Sequence, residues 1–153
     1  MTDALSKRRL RLWIRLLRVT RLTESQLREF LRVEHGSTLP RFDVLAALHR
    51  SDDALTMTEL SRLLLVSNGN TTTVVARLET DGLVARTTST ADRRVVHVAL
   101  TSAGRSHFEQ LAAEHEAQVD LLFSSMTGTD LGALDDLLQR MIPRKVTAHD
   151  ADG

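Results

Sequence analysis

Two short helical stretches followed by an abrupt switch to strand period constrain this chain more than any other feature. Residues 59–65 place Leu60, Leu63 and Leu64 on one helical face, with Thr58 as the expected cap. The polar turn "VSNGN" (66–70) leads into a second helix of about 70–81, with Val74, Val75 and Leu78 in register. Gly82 is its expected stop, because glycine accepts the left-handed backbone that closes a helix. The period then falls to two. "LVARTTS" (83–89) and "RVVHVAL" (94–100) read as short strands around a polar tip. In the second, Val95, His97 and Ala99 share one face, and Val96, Val98 and Leu100 the other. Helix, turn, helix and hairpin within about fifty residues is the order of a winged helix-turn-helix.

Long helices flank this unit. Residues 4–34 contain no Gly or Pro, and Leu10, Trp13, Ile14 and Leu17 repeat at helical spacing. Leu12, Leu16 and Val19 form a second stripe, which predicts burial on more than one side, as at a subunit interface. Gly36 ends this helix, and Ser37 or Thr38 caps the next, with Pro40 in its first turn. Phe42, Leu45, Ala46 and His49 share a face there, and "RSDDALT" (50–56) reads as a turn. Thr101 is the expected cap of a helix over 102–125, with Phe108, Leu111, Ala112, His115, Val119 and Leu122 as its stripe. Thr129 is the expected cap of a last helix, about 130–142, which Pro143 ends. The fold class expected is mainly α with a small β-hairpin wing.

Charge sharpens the picture. The net charge is zero, but residues 1–32 carry nine Lys or Arg against three acids, and residues 109–153 carry nine acids against three bases. The chain is therefore polarised, which steers association more than it sets fold. With no cysteine, disulfides, thiol catalysis, cysteine redox switching and cysteine-based zinc sites are excluded. No apolar run reaches the roughly 18 residues of a membrane helix, and no continuous apolar core follows the basic N-terminus, so the expected location is the cytoplasm.

The chemistry expected of this order is nucleic-acid reading. A recognition helix presents its first residues to base edges in the major groove. Here those residues are Ser67, Asn68, Gly69, Asn70, Thr71, Thr72 and Thr73. Asn pairs bidentately with adenine, and Thr bonds a base or touches a thymine methyl. The hairpin tip "TSTADRR" (88–94) adds cations suited to the narrow minor groove. Asp92 stands two residues before Arg94, a spacing that lets a carboxylate hold a guanidinium in a fixed fork. That leaves Arg93 for a phosphate.

The stretch "LTMTELSRLLLVSNGNTTTVVARLETDGLVARTTSTADRRVVHVALTSAGR" resembles the DNA-binding lobe of the MarR (multiple antibiotic resistance regulator) family. "GLVAR", "DRR" and "LTSAG" carry the resemblance. It implies a homodimer whose first and last helices intertwine, with two winged lobes and a pseudo-palindromic operator. It also implies a helical dimerisation region of 1–38 plus 105–148, a DNA-binding lobe of 39–104 and a frayed tail of 149–153. The family's wing arginine falls on Arg94, its orienting acid on Asp92 and its recognition-helix start on Asn68 to Thr73, with Arg77 and Arg86 at phosphate-contacting positions. Members are commonly repressors released by a phenolic or aromatic acid. "LPRFDVLAALHR" (39–50) is similar to the branch controlling aromatic-acid breakdown, where some ligands are coenzyme A thioesters. The lining residues so implied are Trp13, Arg15, Arg18, His35, Arg41 and Phe42, an Arg taking the carboxylate bidentately. The absence of cysteine departs from the peroxide-sensing branch.

Other classes find less support. Ser61, His107 and His115 lack a nucleophile-elbow pattern, and "SNGNTTT" lacks the P-loop lysine, so no enzyme is expected. No cofactor is expected. His107 and His115, with Glu114 and Glu116 nearby, leave a metal-responsive regulator as an alternative. A winged-helix module for protein contacts alone is another.

Overall fold

The computed structural model describes residues 4–64 and 66–142. Helix α1 (Ala4–His35) runs uninterrupted to Gly36, whose φ of 55° is the left-handed stop its sequence predicts. Helix α2 (Leu39–Arg50) is capped by Thr38, whose hydroxyl accepts the Arg41 N–H. Then come β1 (Leu55–Thr56), α3 (Met57–Leu64), α4 (Asn68–Thr80), β2 (Val84–Thr88), β3 (Val96–Leu100), α5 (Ser102–Phe123) and α6 (Gly128–Met141). The chain forms two compact units, residues 1–119 and 120–153. The expected stop at Pro143 and the tail 149–153 lie outside the described residues.

The first unit has one apolar core. Leu31 of α1, Val44, Leu45 and Leu48 of α2, Leu60 of α3, Val75 and Leu78 of α4, Val84 and Val98 of the sheet, and Leu111 of α5 are all buried in it. Each such side chain contributes about 1.5–3 kcal/mol by leaving water. On β3 the inward face is the one carrying Val98, which is fully buried.

The wing is a three-stranded antiparallel sheet in the order β1-β3-β2, rather than a plain hairpin. Leu55 pairs with Val98 and Thr56 with His97, so part of "RSDDALT" is a strand and not a turn. Two residues are too short to show a period; β3 supplies the pairing through space.

Two caps, one helix start and one face also differ from expectation. Thr56, not Thr58, caps α3: its hydroxyl accepts the Glu59 N–H, and its own N–H donates to the Glu59 carboxylate. Leu63 faces solvent, 56% exposed, since only Leu60 and the half-buried Leu64 reach the core. Helix α4 begins at Asn68 behind the cap Ser67, which places Gly69 inside the first turn. In the second unit α6 starts behind Thr127, not Thr129, because Thr127 and Asp130 complete a reciprocal capping box.

The "LTSAG" segment has a steric explanation. The Thr101 hydroxyl donates to Gly82 O at 2.6 Å and accepts from Gly104 N at 2.9 Å. A Cβ built on Gly104 would sit 1.8 Å from the Leu83 carbonyl oxygen. Only glycine lets the first turn of α5 lie against that backbone. This contact fixes where the wing leaves the helices.

Candidate nucleic-acid interface

The start of α4 is built to leave some of its polar groups outward and to spend others inward. Ser67 uses its hydroxyl oxygen to cap the helix at Asn70 N. Asn70, Thr72 and Thr73 are exposed. The Thr73 hydroxyl donates to Gly69 O at 3.1 Å. Asn68 occupies the first helical position.

Thr71 is buried at 1% exposure, at odds with a place among base-reading residues. Its Oγ1 accepts from Ser61 Oγ at 2.9 Å and donates to Ser67 O at 3.1 Å. This relay ties α3 to α4 and satisfies two hydroxyls inside the lobe. A polar residue one turn from the helix start reads as readout in a sequence; only the packing of α3 reveals it as core.

The wing tip is a small scaffold of side-chain bonds. Ser89 Oγ accepts from Ala91 N and Asp92 N, and Ser89 N donates to Val95 O at 2.9 Å. Asp92 then receives Arg94 three ways: the backbone N–H at 3.0 Å, Nε at 3.1 Å and Nη2 at 3.1 Å. The Arg94 bonds hold the Asp92 carboxyl below the usual carboxylate range. The fork expected from the spacing is present, and Arg94 stands 90% exposed on it. Arg93 is exposed beside it, with no partner among the described residues.

Arg86 is engaged rather than outstretched. Its Nε and Nη2 donate to Glu79 Oε1 at 3.2 and 2.8 Å, while its backbone N–H donates to Oε2 at 3.1 Å. These bonds lower the Glu79 pKa, side-chain contact first. Sequence reasoning missed Glu79, although its place one turn before Gly82, ahead of the strand that became β2, carried the signal. Arg77 projects exposed from the last turn of α4.

The six candidate ligand residues lie in different surroundings. Trp13, Arg15 and Arg18 are exposed along α1. Arg41 turns toward α4, where Nη2 meets Asp81 Oδ2 at 2.6 Å. Phe42 turns the other way, stacking on His115 of α5 at 4.1 Å between ring centroids and packing on Phe108 at 5.5 Å. His35 packs edge-on against Phe30. Its Nε2 lies 3.1 Å from Glu114 Oε2 but outside hydrogen-bonding geometry, so the contact is one of distance only. Burial against Phe42 lowers the His115 pKa and favours the neutral ring. No group of three His, Asp or Glu side chains able to hold a metal occurs among the described residues, so the spacing of His107 and His115 gains no third donor.

A helix with a polar, exposed start and a braced arginine at the tip of an adjacent sheet define a winged helix-turn-helix. Comparison with known proteins agrees. The profile of the MarR family matches residues 35–95. The chain is 32% identical to the HTH-type transcriptional regulator YkoM of Bacillus subtilis, over 70% of this chain and 69% of that one. It is 32% identical to the transcriptional repressor MdtR of the same organism, over 64% and 63%. The structure of a mutant MarR from E. coli complexed with operator DNA superposes with a TM-score of 0.77 at 26% identity, covering 93% of this chain and 100% of that one. The chain belongs to the MarR family of transcriptional regulators.

Proposed function

We propose that this protein is a homodimeric transcriptional repressor that binds a pseudo-palindromic operator and is released by a small aromatic acid or its coenzyme A thioester. The observation that carries the reading is the wing tip, where Asp92 holds a 90% exposed Arg94 in a fixed orientation. An arginine so held pays little ordering entropy on entering a minor groove. Asn70, Thr72 and Thr73 face outward nearby for the major groove. The complex of E. coli MarR with operator DNA and the repressor MdtR support both halves of the reading by family.

Dimerisation is supported by α1, whose Leu10, Trp13 and Ile14 are each more than half exposed in the single chain. The two-fold axis of such a dimer would set half-sites about one helical turn apart. The aromatic ligand rests on the resemblance of residues 39–50 to the branch controlling aromatic-acid breakdown. No helix among the described residues is long and apolar enough to cross a membrane. A regulator that binds an operator works where the DNA is, so in this reading its location is the cytoplasm.

The test joins a thermal-shift screen of aromatic acids and their coenzyme A thioesters to a gel-shift titration on duplex selected from a random pool. A compound that raises Tm and releases the duplex is the expected result, because a ligand of the native state raises apparent stability. Failure to select any duplex would leave a protein-interaction module as the better reading.

A further inference from the structure

Arginines from three helices converge on one cleft beside α4. It has a volume of about 710 Å³, and its walls include Arg28 and Arg32 of α1, Thr38 and Arg41 at the start of α2, and Arg77 and Asp81 at the end of α4. Asp81 is the one acid in the lining, and Arg41 already meets it at 2.6 Å. Arg32 is held by Glu29, also at 2.6 Å. Arg28 and Arg77 have no ionic or hydrogen-bond partner among the described residues. The cleft therefore keeps a positive excess with two uncommitted guanidinium groups. The N-terminus of the twelve-residue α2 opens into it and adds its partial positive charge.

The position of this cleft on α4 gives its purpose. Glu79, which braces the wing through Arg86, and Arg77, which lines the cleft, lie two residues apart and hence roughly 200° around the helix. The wing and the cleft thus flank α4 on opposite sides, with the exposed Thr73 on the arc between them. A helix seated in a major groove about 12 Å wide has a phosphate backbone on each side. The wing serves one side.

We propose that the α1–α2–α4 cleft holds backbone phosphates on the other side, with Arg28 and Arg41 joining Arg77, which the family resemblance already puts at a phosphate, as their cationic partners. The proposal rests on the DNA-binding reading and extends the footprint from the wing lobe to the corner of the first two helices. It reassigns Arg41 from a carboxylate ligand to a phosphate contact. Phosphate contacts carry no sequence information, so the cleft contributes affinity and register rather than base choice.

The test uses the full chain and two duplexes, one of random sequence and one selected from a pool, with binding followed by fluorescence anisotropy across a salt series. Arg28→Ala and Arg77→Ala are each expected to lower the slope of log affinity against log salt by about one. They are expected to weaken both duplexes by the same factor, and Arg28→Lys should restore the slope. Circular dichroism melts of all variants keep loss of fold separate from loss of binding. An unchanged slope, or a loss confined to the selected duplex, overturns the cleft assignment. So does stabilisation by pyrophosphate that requires Arg28 while the DNA slope stays at the wild-type value, since the cleft would then serve a free anion. Arg94→Ala separates the two readings. If it lowers the slope while the cleft variants do not, only the cleft falls; if the wild-type chain binds neither duplex, the DNA-binding reading falls with it.

Discussion

Arg86 of β2 and Glu79 of α4 are joined by three hydrogen bonds, two from the guanidinium and one from the Arg86 backbone N–H. The wing is thereby pinned to the helix whose first turn faces outward, and the angle between the two is fixed at one carboxylate. Glu79→Gln is expected to leave Tm nearly unchanged, because the pair is at the surface. It should weaken duplex binding several-fold, since helix and wing would no longer be presented together. An unchanged or tighter Kd by anisotropy would mean that Arg86 is better used on a phosphate, the role the family resemblance implied. The pH dependence follows from the lowered Glu79 pKa. A carboxylate with a depressed pKa contributes fully above its unfolded value and loses its contribution as pH falls through the folded one. The brace should therefore persist through the ordinary carboxylate range and open only below it. An NMR titration of the Glu79 side chain with an ordinary glutamate midpoint would contradict this.

Thr71 and Asn70 are adjacent, yet their substitution should separate stability from readout. Thr71→Val removes the acceptor for Ser61 and the donor to Ser67 O in a site only 1% exposed. Leaving those groups unsatisfied costs about 1–3 kcal/mol. Urea unfolding should show that loss, with the ranking of operator variants unchanged. Asn70→Ala should do the reverse: stable protein, altered ranking. A Thr71→Val variant of wild-type stability would remove the relay from the account of the lobe.

Much of the lobe was legible because its signals are local. The helical repeat of Val75 and Leu78, the stop at Gly82 and the spacing of Asp92 and Arg94 are each readable within a few residues. What was not legible depends on partners distant in the chain. The Leu55–Thr56 strand exists because β3 lies beside it, some forty residues on. Thr71 is core because Ser61 faces it, and Arg86 is a brace because Glu79 does. Arg41 and Phe42 stand together in the ligand set the resemblance implies, but neighbours on a helix diverge by roughly 100°, so one meets α4 and the other α5.

Gly104 is the position where the sequence motif has the narrowest tolerance. Gly104→Ala would drive a Cβ into the Leu83 carbonyl, and the obstacle is backbone, which cannot swing aside as a side chain can. Overpacking of this kind costs about 1–3 kcal/mol, more where the backbone must shift. The Thr101 bonds to Gly82 O and Gly104 N would be strained in the same movement. The expected outcome is a lower urea midpoint and weaker duplex binding, since the wing departs from this point. Ala103→Gly, one residue earlier on the exposed side of α5, serves as a control for helix propensity alone. A Gly104→Ala variant no less stable than that control would refute the close approach.

The apolar face of α1 gives the sharpest test of assembly, because Trp13 is the only tryptophan in the chain and sits on that face at 57% exposure. Leu10 and Ile14 lie beside it at 58% and 54%. A second copy covering this stripe would desolvate the indole and shift its emission to shorter wavelength. Dilution should then move the emission red along the same curve on which the sedimentation coefficient falls from dimer to monomer. Trp13→Glu should sediment as a monomer at micromolar concentration, since an unpaired carboxylate would have to be buried at the seam. It should also lose most of its affinity for a two-half-site duplex, because two linked lobes bind by avidity that one lobe lacks. A wild-type chain whose emission stays red and independent of concentration would show that no second copy covers α1, and the proposed dimer would fall.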